Sequence, residues 1–294
     1  MRYLIFGVNG MAGHVIAQYL KEKGHEITGF ARQQSPVCKT IPGDARNRAD
    51  VEIALEAADY DVVVNCIGVL NKRVDASLAD GIYLNSSWPH LLAEKLAGKR
   101  TKLIHISSDC VFEGTRGQYT ESDHPDAVSY YGRSKALGEV LDCDNLTLRT
   151  SIVGPELKAD GTGLFHWFMK QTGSVSGYKK VIWTGVTTLQ LAKSIEEDIS
   201  KQKTGLYHLV NNDTISKNDL LQLFNSGFRN NPIEIAENDT VISDRSLVCT
   251  SEGQRFSVPG YKQMIMELAD WMEDHRELYG QYEEFGKRLS EGEG

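Results

Sequence analysis

Tyr3-Leu4-Ile5-Phe6-Gly7-Val8-Asn9-Gly10-Met11-Ala12-Gly13 opens the chain after two residues. Four consecutive apolar residues suit a buried strand, and three glycines at a spacing of three suit a turn out of it. A helical pattern follows at once, with Val15, Ile16, Tyr19 and Leu20 on one face and Gly24 as its stop. Glycines at such a turn let the backbone fold tightly. They also let an anionic ligand approach the free N–H groups at the helix start. The stretch therefore reads as a pyrophosphate-binding turn for a dinucleotide, at Gly7, Asn9, Gly10, Met11, Ala12 and Gly13. Its spacing is GxxGxxG rather than the commoner GxGxxG.

Outward from this turn, strands and helices alternate. Glu26 to Phe30, Asp61 to Gly68, Lys102 to Ile106 and Leu146 to Arg149 read as strands. Helical patterns run through Val51 to Ala58 and through Ala76 to Leu96, the latter with a kink or break expected near Trp88 because of Pro89. The alternation predicts an α/β protein with a Rossmann-type doubly wound parallel sheet. After Thr150 the rhythm changes. Gly154 to Lys180 is rich in Gly, Lys and Thr and holds the apolar cluster Leu164, Phe165, Trp167 and Phe168. Helices are expected at Leu189 to Ile199, from an N-cap at Ser216 over Asn218 to Phe224, and around Met264 to Met272, with a strand at Gly205 to Val210. The expected division is a dinucleotide-binding domain of residues 1–150 plus about 182–212, and a smaller C-terminal α/β substrate-binding lobe of 151–181 and 213–294. The charged tail from Gln281 is expected to fray at its end.

The 294 residues carry a net charge of −8, which argues against general nucleic-acid binding. The five cysteines form no CxxC pair, the eight histidines are dispersed, and no metal site is expected. No secretory leader is apparent, and no stretch approaches the ~20 apolar residues of a membrane span. A cytoplasmic protein with reduced thiols is expected. There is no GxSxG elbow and no GxxxxGK[ST] loop, which argues against a hydrolase of that kind and a P-loop NTPase.

At the end of the second predicted strand stands Arg32, where an NAD site presents Asp or Glu to the ribose. An arginine there suits the 2′-phosphate of NADP. Asp44 and Ala45 follow Gly43 and are placed at the adenosine side. Cys66, Ile67 and Gly68 end the third predicted strand, where small residues let a cofactor lie close. Ser107-Ser108-Asp109 follows Lys102 to Ile106, at the carboxyl end of a strand where ligands bind in such sheets. Tyr131 and Lys135 are four residues apart, on one face of a helix. A lysine beside a phenol is expected to lower its pKa and make it a general acid/base. Tyr130 is five residues from Lys135 and points elsewhere.

Together these pieces resemble the extended short-chain dehydrogenase/reductases over nearly the whole chain. The runs Ile106-Ser107-Ser108-Asp109-Cys110-Val111-Phe112-Glu113-Gly114, Tyr119-Thr120-Glu121, Tyr131-Gly132-Arg133-Ser134-Lys135-Ala136-Leu137-Gly138-Glu139 and Leu148-Arg149-Thr150-Ser151 look like the dTDP-4-dehydrorhamnose reductase branch. The resemblance implies NADPH, with NADH left open, reducing the 4-keto group of a nucleotide-linked 4-keto-6-deoxyhexose in deoxysugar and polysaccharide biosynthesis. It implies Ser108, Tyr131 and Lys135 as the catalytic set. It adds Asn85 to the cofactor-binding residues and places Cys110, Val111, Phe112 and Ile152 at the sugar. Cys110 and Ile152 stand where that branch has aromatics, which puts the identity of the sugar in doubt. A homodimer is left open. Two other readings stay in view: an NAD-dependent sugar-nucleotide epimerase or dehydratase, and a non-catalytic subunit like the regulatory one of methionine adenosyltransferase.

Overall fold

In the computed structural model, which describes residues 1–251 and 255–286, the opening apolar run is the middle of a sheet covered on both faces. Its strand, β1 (Arg2–Phe6), sends Tyr3 and Ile5 into one core and Leu4 and Phe6 into another. Successive side chains of a strand point to opposite faces, so a run that is apolar at every position requires two apolar layers. This explains why β1 lacks the alternation of a half-exposed strand.

The strands that follow are β2 (Glu26–Ala31), β3 (Lys39–Pro42), β4 (Val62–Asn65), β5 (Lys102–Ile106) and β6 (Leu146–Arg149), with Gly205–His208 at the far edge. They pair in parallel in the order Gly205–His208, β6, β5, β4, β1, β2, β3. The chain runs outward from β1 to β3, then returns to lay β4 on the other side of β1. That reversal opens a crevice at the carboxyl ends of β1 and β4.

The helices are α1 (Met11–Glu22), α2 (Arg48–Glu56), α3 (Asn71–Ala76), α4 (Leu78–Ile82), α5 (Trp88–Leu96), α6 (Tyr130–Leu137), α7 (Leu164–Met169), α8 (Thr188–Lys201), α9 (Lys217–Phe228) and α10 (Tyr261–Asp274). α1 and α8 cover one face of the sheet with Val15, Ile16, Leu20, Leu191 and Ile195. α5 covers the other with Trp88, Leu92 and Leu96. The remaining strands are short: Ile152–Val153 beside Val186–Thr187, Ser174–Tyr178 beside Glu234–Asn238, and Val181–Trp183 between Ile215–Ser216 and Ser243–Asp244.

One expectation is corrected and one strand is new. The helix expected from Ala76 to Leu96 is three pieces joined by a π-helical segment, Tyr83–Ser87. Trp88 N–H bonds the Tyr83 carbonyl, and Pro89 falls in the first turn of α5, where its missing N–H costs nothing. β3 was not expected from the sequence. It is a four-residue edge strand ending in Pro42, and edges are where a sheet tolerates proline. Of the charged tail, Gln281 to Gly286 is described, with Tyr282 and Phe285 buried. The end that was expected to fray lies outside the described residues.

β6 carries an ion pair into the interior. Arg149 is 1% exposed and grips Glu139, just beyond α6, with two bonds: Nε to Oε1 at 2.8 Å and Nη2 to Oε2 at 2.6 Å. Arg149 Nη1 also bonds His208 Nε2 at 3.0 Å, and Ser107 Oγ donates to Glu139 Oε1 at 2.7 Å. Arg149→Met is expected to strand the Glu139 carboxylate and cost ~3–5 kcal/mol. Urea unfolding at neutral pH checks this, and a loss below ~1 kcal/mol contradicts it.

Candidate active site

The glycine turn sits at the mouth of the crevice. Gly7 has φ +81°, and a Cβ there would meet Ile67 Cγ1 at 3.0 Å and the Cys66 backbone at 3.2 Å. A Cβ on Gly13 would lie 2.3 Å from the Gly7 carbonyl oxygen. Only glycine lets α1 start this close to β1. No side chain caps α1, so its first N–H groups are free to meet an anion. Beside them, Asn9 donates through Nδ2 to the Gln33 and Gln34 carbonyls at 3.0 and 3.3 Å. Its Oδ1 is buried with no hydrogen-bond partner among the described residues. Arg32 follows β2, exposed, with no bonded partner among the described residues. Uncapped helix, orphaned acceptor and unengaged guanidinium all suit a dinucleotide.

The other expected cofactor positions also line the carboxyl ends of the strands. Asp44 follows β3, and its carboxylate is held by Arg46, Nε to Oδ1 at 3.1 Å and Nη2 to Oδ2 at 2.7 Å. The bonds from Arg46 keep the Asp44 pKa below the usual carboxylate range. Any adenine amino group has to share that carboxylate. Ala45 is buried and accepts a bond from Tyr83 at its carbonyl. Asn85, fully buried in the π-helical segment, clamps the loop after β4: Nδ2 donates to Val69 O at 3.0 Å and Oδ1 accepts from Val69 N–H at 2.8 Å. It also donates to Ser134 Oγ of α6 at 3.1 Å. Asn85 thus positions the loop carrying Gly68 and faces α6.

α6 begins at Ser129, whose side chain accepts from Gly132 N–H. The helix brings Tyr131 and Lys135 to the end of β5. There Ser108 starts a short 3-10 turn, its Oγ accepting from Cys110 N–H and donating to Asp109 Oδ1, both at 3.1 Å. Tyr131 is half-buried and Tyr130 is 54% exposed, as the register requires. Lys135 is 5% exposed, and its Nζ donates to the Ile106 carbonyl at 2.7 Å.

The electrostatics correct one expectation. Lys135 does not pull the Tyr131 pKa down. Burial pushes the phenol above its ordinary value, the neighbouring Cys110 and Asp109 add to this, and the nearby Ser108 hydroxyl opposes them. Lys135 Nζ is anchored by the Ile106 carbonyl. Burial lowers its own pKa to about 8, against the pull of Glu139 and Cys66. A protonated phenol is what a proton donor needs at neutral pH. Burial pushes the thiols of Cys66 and Cys110 up to about 12, so neither is a nucleophile at neutral pH.

Of the residues expected at the sugar, Cys110 and Ile152 are partly exposed at the carboxyl ends of β5 and β6. Val111 and Phe112 are corrected. Both side chains are fully buried in a core with Tyr119, Val210 and Leu247. Phe112 stacks on Tyr119 at 4.1 Å with Arg149 over its ring at 5.0 Å, so neither side chain is free to meet a ligand. Sequence reading missed Asn9 Oδ1 as the orphaned atom, along with Lys217, on which Asp109 and Cys110 act, and Trp183, whose ring Lys217 overlies at 5.1 Å. No local spacing marks those two, because strand pairing brings them together. Among the described residues no cluster of His, Cys, Asp or Glu could hold a metal, and no helix is long and apolar enough to cross a membrane.

The model of the RmlD substrate binding domain family matches residues 1–241. The chain belongs to this family. Several curated proteins match about half of this RmlD-family chain. A probable low-salt glycan biosynthesis reductase of Haloferax volcanii is 34% identical over 161 residues, covering 52% of this chain and 54% of that protein. The beta subunit of rat methionine adenosyltransferase 2 is 31% identical over 150 residues, covering 49% and 43%. The chain thus spans about half the length of the curated relatives it matches. A solved dTDP-4-dehydrorhamnose reductase of Bacillus anthracis, in complex with NADP, is 19% identical with a TM-score of 0.77, covering 92% and 99%. That likeness shows the fold of the RmlD-family chain.

The lysine shift has a signed consequence. A lysine depressed to about 8 in the fold is neutral there, yet still protonated in the unfolded chain, from about pH 8 to its ordinary ~10.4. Over that window the unfolded state binds more protons, so stability rises with pH. The cost of burying the charge is fully present below pH 8. Wild type is therefore expected to gain stability relative to Lys135→Met between pH 8 and 10. Urea titrations of both proteins across that window check it, and a constant difference would exclude the burial account.

Proposed function

We propose that the chain is an NADPH-dependent oxidoreductase that reduces the 4-keto group of a nucleotide-linked 4-keto-6-deoxyhexose, in deoxysugar or polysaccharide biosynthesis. The observation that carries this reading is the grouping of Ser108, Tyr131 and Lys135 at the carboxyl end of β5, behind an uncapped glycine turn. The solved relative's NADP complex and the reductase among the curated relatives support it.

The bound nicotinamide supplies the hydride to the carbonyl carbon. Tyr131, held protonated by burial, gives its proton to the oxygen as negative charge develops there. Ser108 donates a hydrogen bond to the same oxygen and stabilises its charge. Lys135, fixed by the Ile106 carbonyl and close to Gly68, is read as the group that holds the nicotinamide ribose. The α1 N-terminus takes the pyrophosphate, and Arg32 takes the 2′-phosphate. In this reading residues 1–150 with 182–212 bind the cofactor, and 151–181 with 213–294 form the lobe over the sugar. The protein works in the cytoplasm, and its partners are the sugar nucleotide and at most a second copy of the chain.

The non-catalytic reading is kept open by the methionine adenosyltransferase subunit among the relatives. Stoichiometric oxidation of NADPH by any 4-keto sugar nucleotide separates the two. It also separates a reductase from an epimerase, which returns its hydride.

Tyr131→Phe is expected to lower kcat by ~10²-fold or more while NADPH binding survives. Tyr130→Phe, altering an exposed ring, is expected to change neither. Steady-state kinetics with a fluorescence titration of NADPH read both, and two mutants that behave alike contradict the register. Arg32→Ala is expected to raise the KM for NADPH by about tenfold and leave that for NADH within about twofold. An unchanged ratio of the two KM values removes Arg32 from the cofactor site.

A further inference from the structure

Lys217 is a cation that the fold brings inside and leaves without an acceptor. It opens α9 directly after Ile215–Ser216, which pairs antiparallel with the strand Val181–Trp183. Its Nζ lies 5.1 Å from the centre of the Trp183 ring. Among the described residues it makes no hydrogen bond and no ion pair, although it is half-buried. Below it Trp183 is 3% exposed, and the indole Nε1–H is buried with no partner. Taking an ammonium out of water without an acceptor is costly. A stacked indole offsets only part of that cost. Burial lowers the lysine to about 8, and Asp109 and Cys110 pull it back up.

Those two neighbours locate it. Asp109 and Cys110 act on both Lys217 and Tyr131, and the backbone agrees: a Cβ on Gly185 would lie 2.1 Å from the Ser151 carbonyl oxygen and 2.2 Å from Trp183, while Asp109 N–H bonds the adjoining Thr150 carbonyl at 3.3 Å. Ser108 Oγ donates to Asp109 Oδ1, which ties the Ser108 hydroxyl to the same turn. Trp183 and the Lys217 ammonium over it therefore border the turn that carries Ser108 and Cys110. The two sides come from different parts of the chain, the Ser108 turn from the sheet and Lys217 from the lobe.

We propose that Lys217 is a substrate-binding residue whose ammonium takes a negatively charged oxygen of the sugar nucleotide, from its phosphate or from a carboxylate on its sugar. The assignment rests on the reading of the site as a sugar-nucleotide reductase. It accounts for a lysine kept inside with no acceptor of its own: the ligand brings the acceptor.

The test is calorimetry on the full chain with NADP⁺ bound, titrating dTDP, dTDP-glucose and dTDP-glucuronate into wild type, Lys217→Met and Lys217→Arg. Lys217→Met is expected to weaken binding by about tenfold or more, and Lys217→Arg to recover most of the loss. A loss shared by all three ligands assigns the phosphate, and a loss confined to dTDP-glucuronate assigns a sugar carboxylate. Equal affinities for wild type and Lys217→Met overturn the proposal. A wild type that binds NADP⁺ but none of the three ligands overturns the sugar-nucleotide reading itself, a different outcome. A pH series keeps the question answerable should Lys217→Met fail to bind NADP⁺. Among the described residues the titratable groups that act on Lys217 are Asp109 and Cys110, and burial outweighs them, so Lys217 loses its charge as pH passes about 8. Wild-type affinity is then expected to fall above that pH and the arginine variant's to persist, and parallel pH profiles overturn the assignment.

Discussion

Everything at the site depends on how closely one short helix is allowed to approach its neighbours. A Cβ on Gly132 would lie 2.1 Å from the Cys110 carbonyl oxygen, and one on Gly138 would lie 1.8 Å from the Asn85 carbonyl oxygen. Two glycines therefore let α6 wedge between the turn after β5 and the π-helical segment, backbone against backbone. With a side chain at either position the helix moves out by more than an ångström, and Tyr131 leaves Ser108. The polar bonds then fix what the glycines permit. Asn85 reaches Ser134, Ser86 Oγ donates to the Ser134 carbonyl at 2.7 Å, and His90 meets the Leu137 carbonyl at 2.8 Å. The extra residue in a π turn, often a sign of a functional segment, puts Asn85 where it can bond the Val69 loop and α6 together.

That close approach also sets the protonation of the chemical groups. Tyr131 and Lys135 are pushed in opposite directions along the pH axis by one cause, the loss of water, because burial disfavours phenolate and ammonium alike. The outcome is an acid held protonated and a lysine with a loosened proton. Glu139, one turn after Lys135, opposes the second effect, and it is itself held by Arg149. The buried ion pair thus reaches Lys135 through a single carboxylate. A helix of eight residues with little amphipathic character gains little from its own apolar face. Its place is set by these polar anchors and by the glycine contacts.

How much of this is written locally in the sequence follows from the range of each interaction. Strand β1, the Gly7–Gly13 turn and α1 are legible because strand, turn and helix signals are adjacent and agree. So is the register of Tyr131, since a helix fixes which residues share a face. The strand β3 is not legible, because four residues with a terminal proline carry no periodicity. The break in the 76–96 region was signalled by Pro89, but its form as a π segment was not, since that depends on the Asn85 bonds to distant loops. Val111 and Phe112 were misplaced for a related reason. They are adjacent to Ser108 and Cys110 in sequence, but the 3-10 turn rotates them into a core completed by Val210 and Leu247 from the far end of the chain. The lowering of the Tyr131 pKa expected from Lys135 failed because sequence spacing gives proximity, not the direction in which Nζ points.

The same distinction of range bears on specificity. The residues proposed to act on the carbonyl come from one continuous half of the chain, with Ser108, Tyr131 and Lys135 within twenty-eight positions of one another, and curated relatives match about half of the chain. Trp183 and Lys217 arrive from the other half through two short strands, Val181–Trp183 and Ile215–Ser216, that bond to each other and not to the main sheet. Such strands can drift in composition without disturbing the cofactor turn or α6, because they share no ladder hydrogen bond with either. Aromatics expected beside the sugar are absent at Cys110 and Ile152, while the Trp183 indole lies at Gly185, against the Ser151 carbonyl, with the Lys217 ammonium over it. The swap exchanges stacking surface on the sheet side for charge on the lobe side. A neutral deoxysugar ring gains little from an ammonium, whereas a charged oxygen gains much. On this argument the sheet half determines that a carbonyl is reduced, and the lobe half determines which carbonyl is presented.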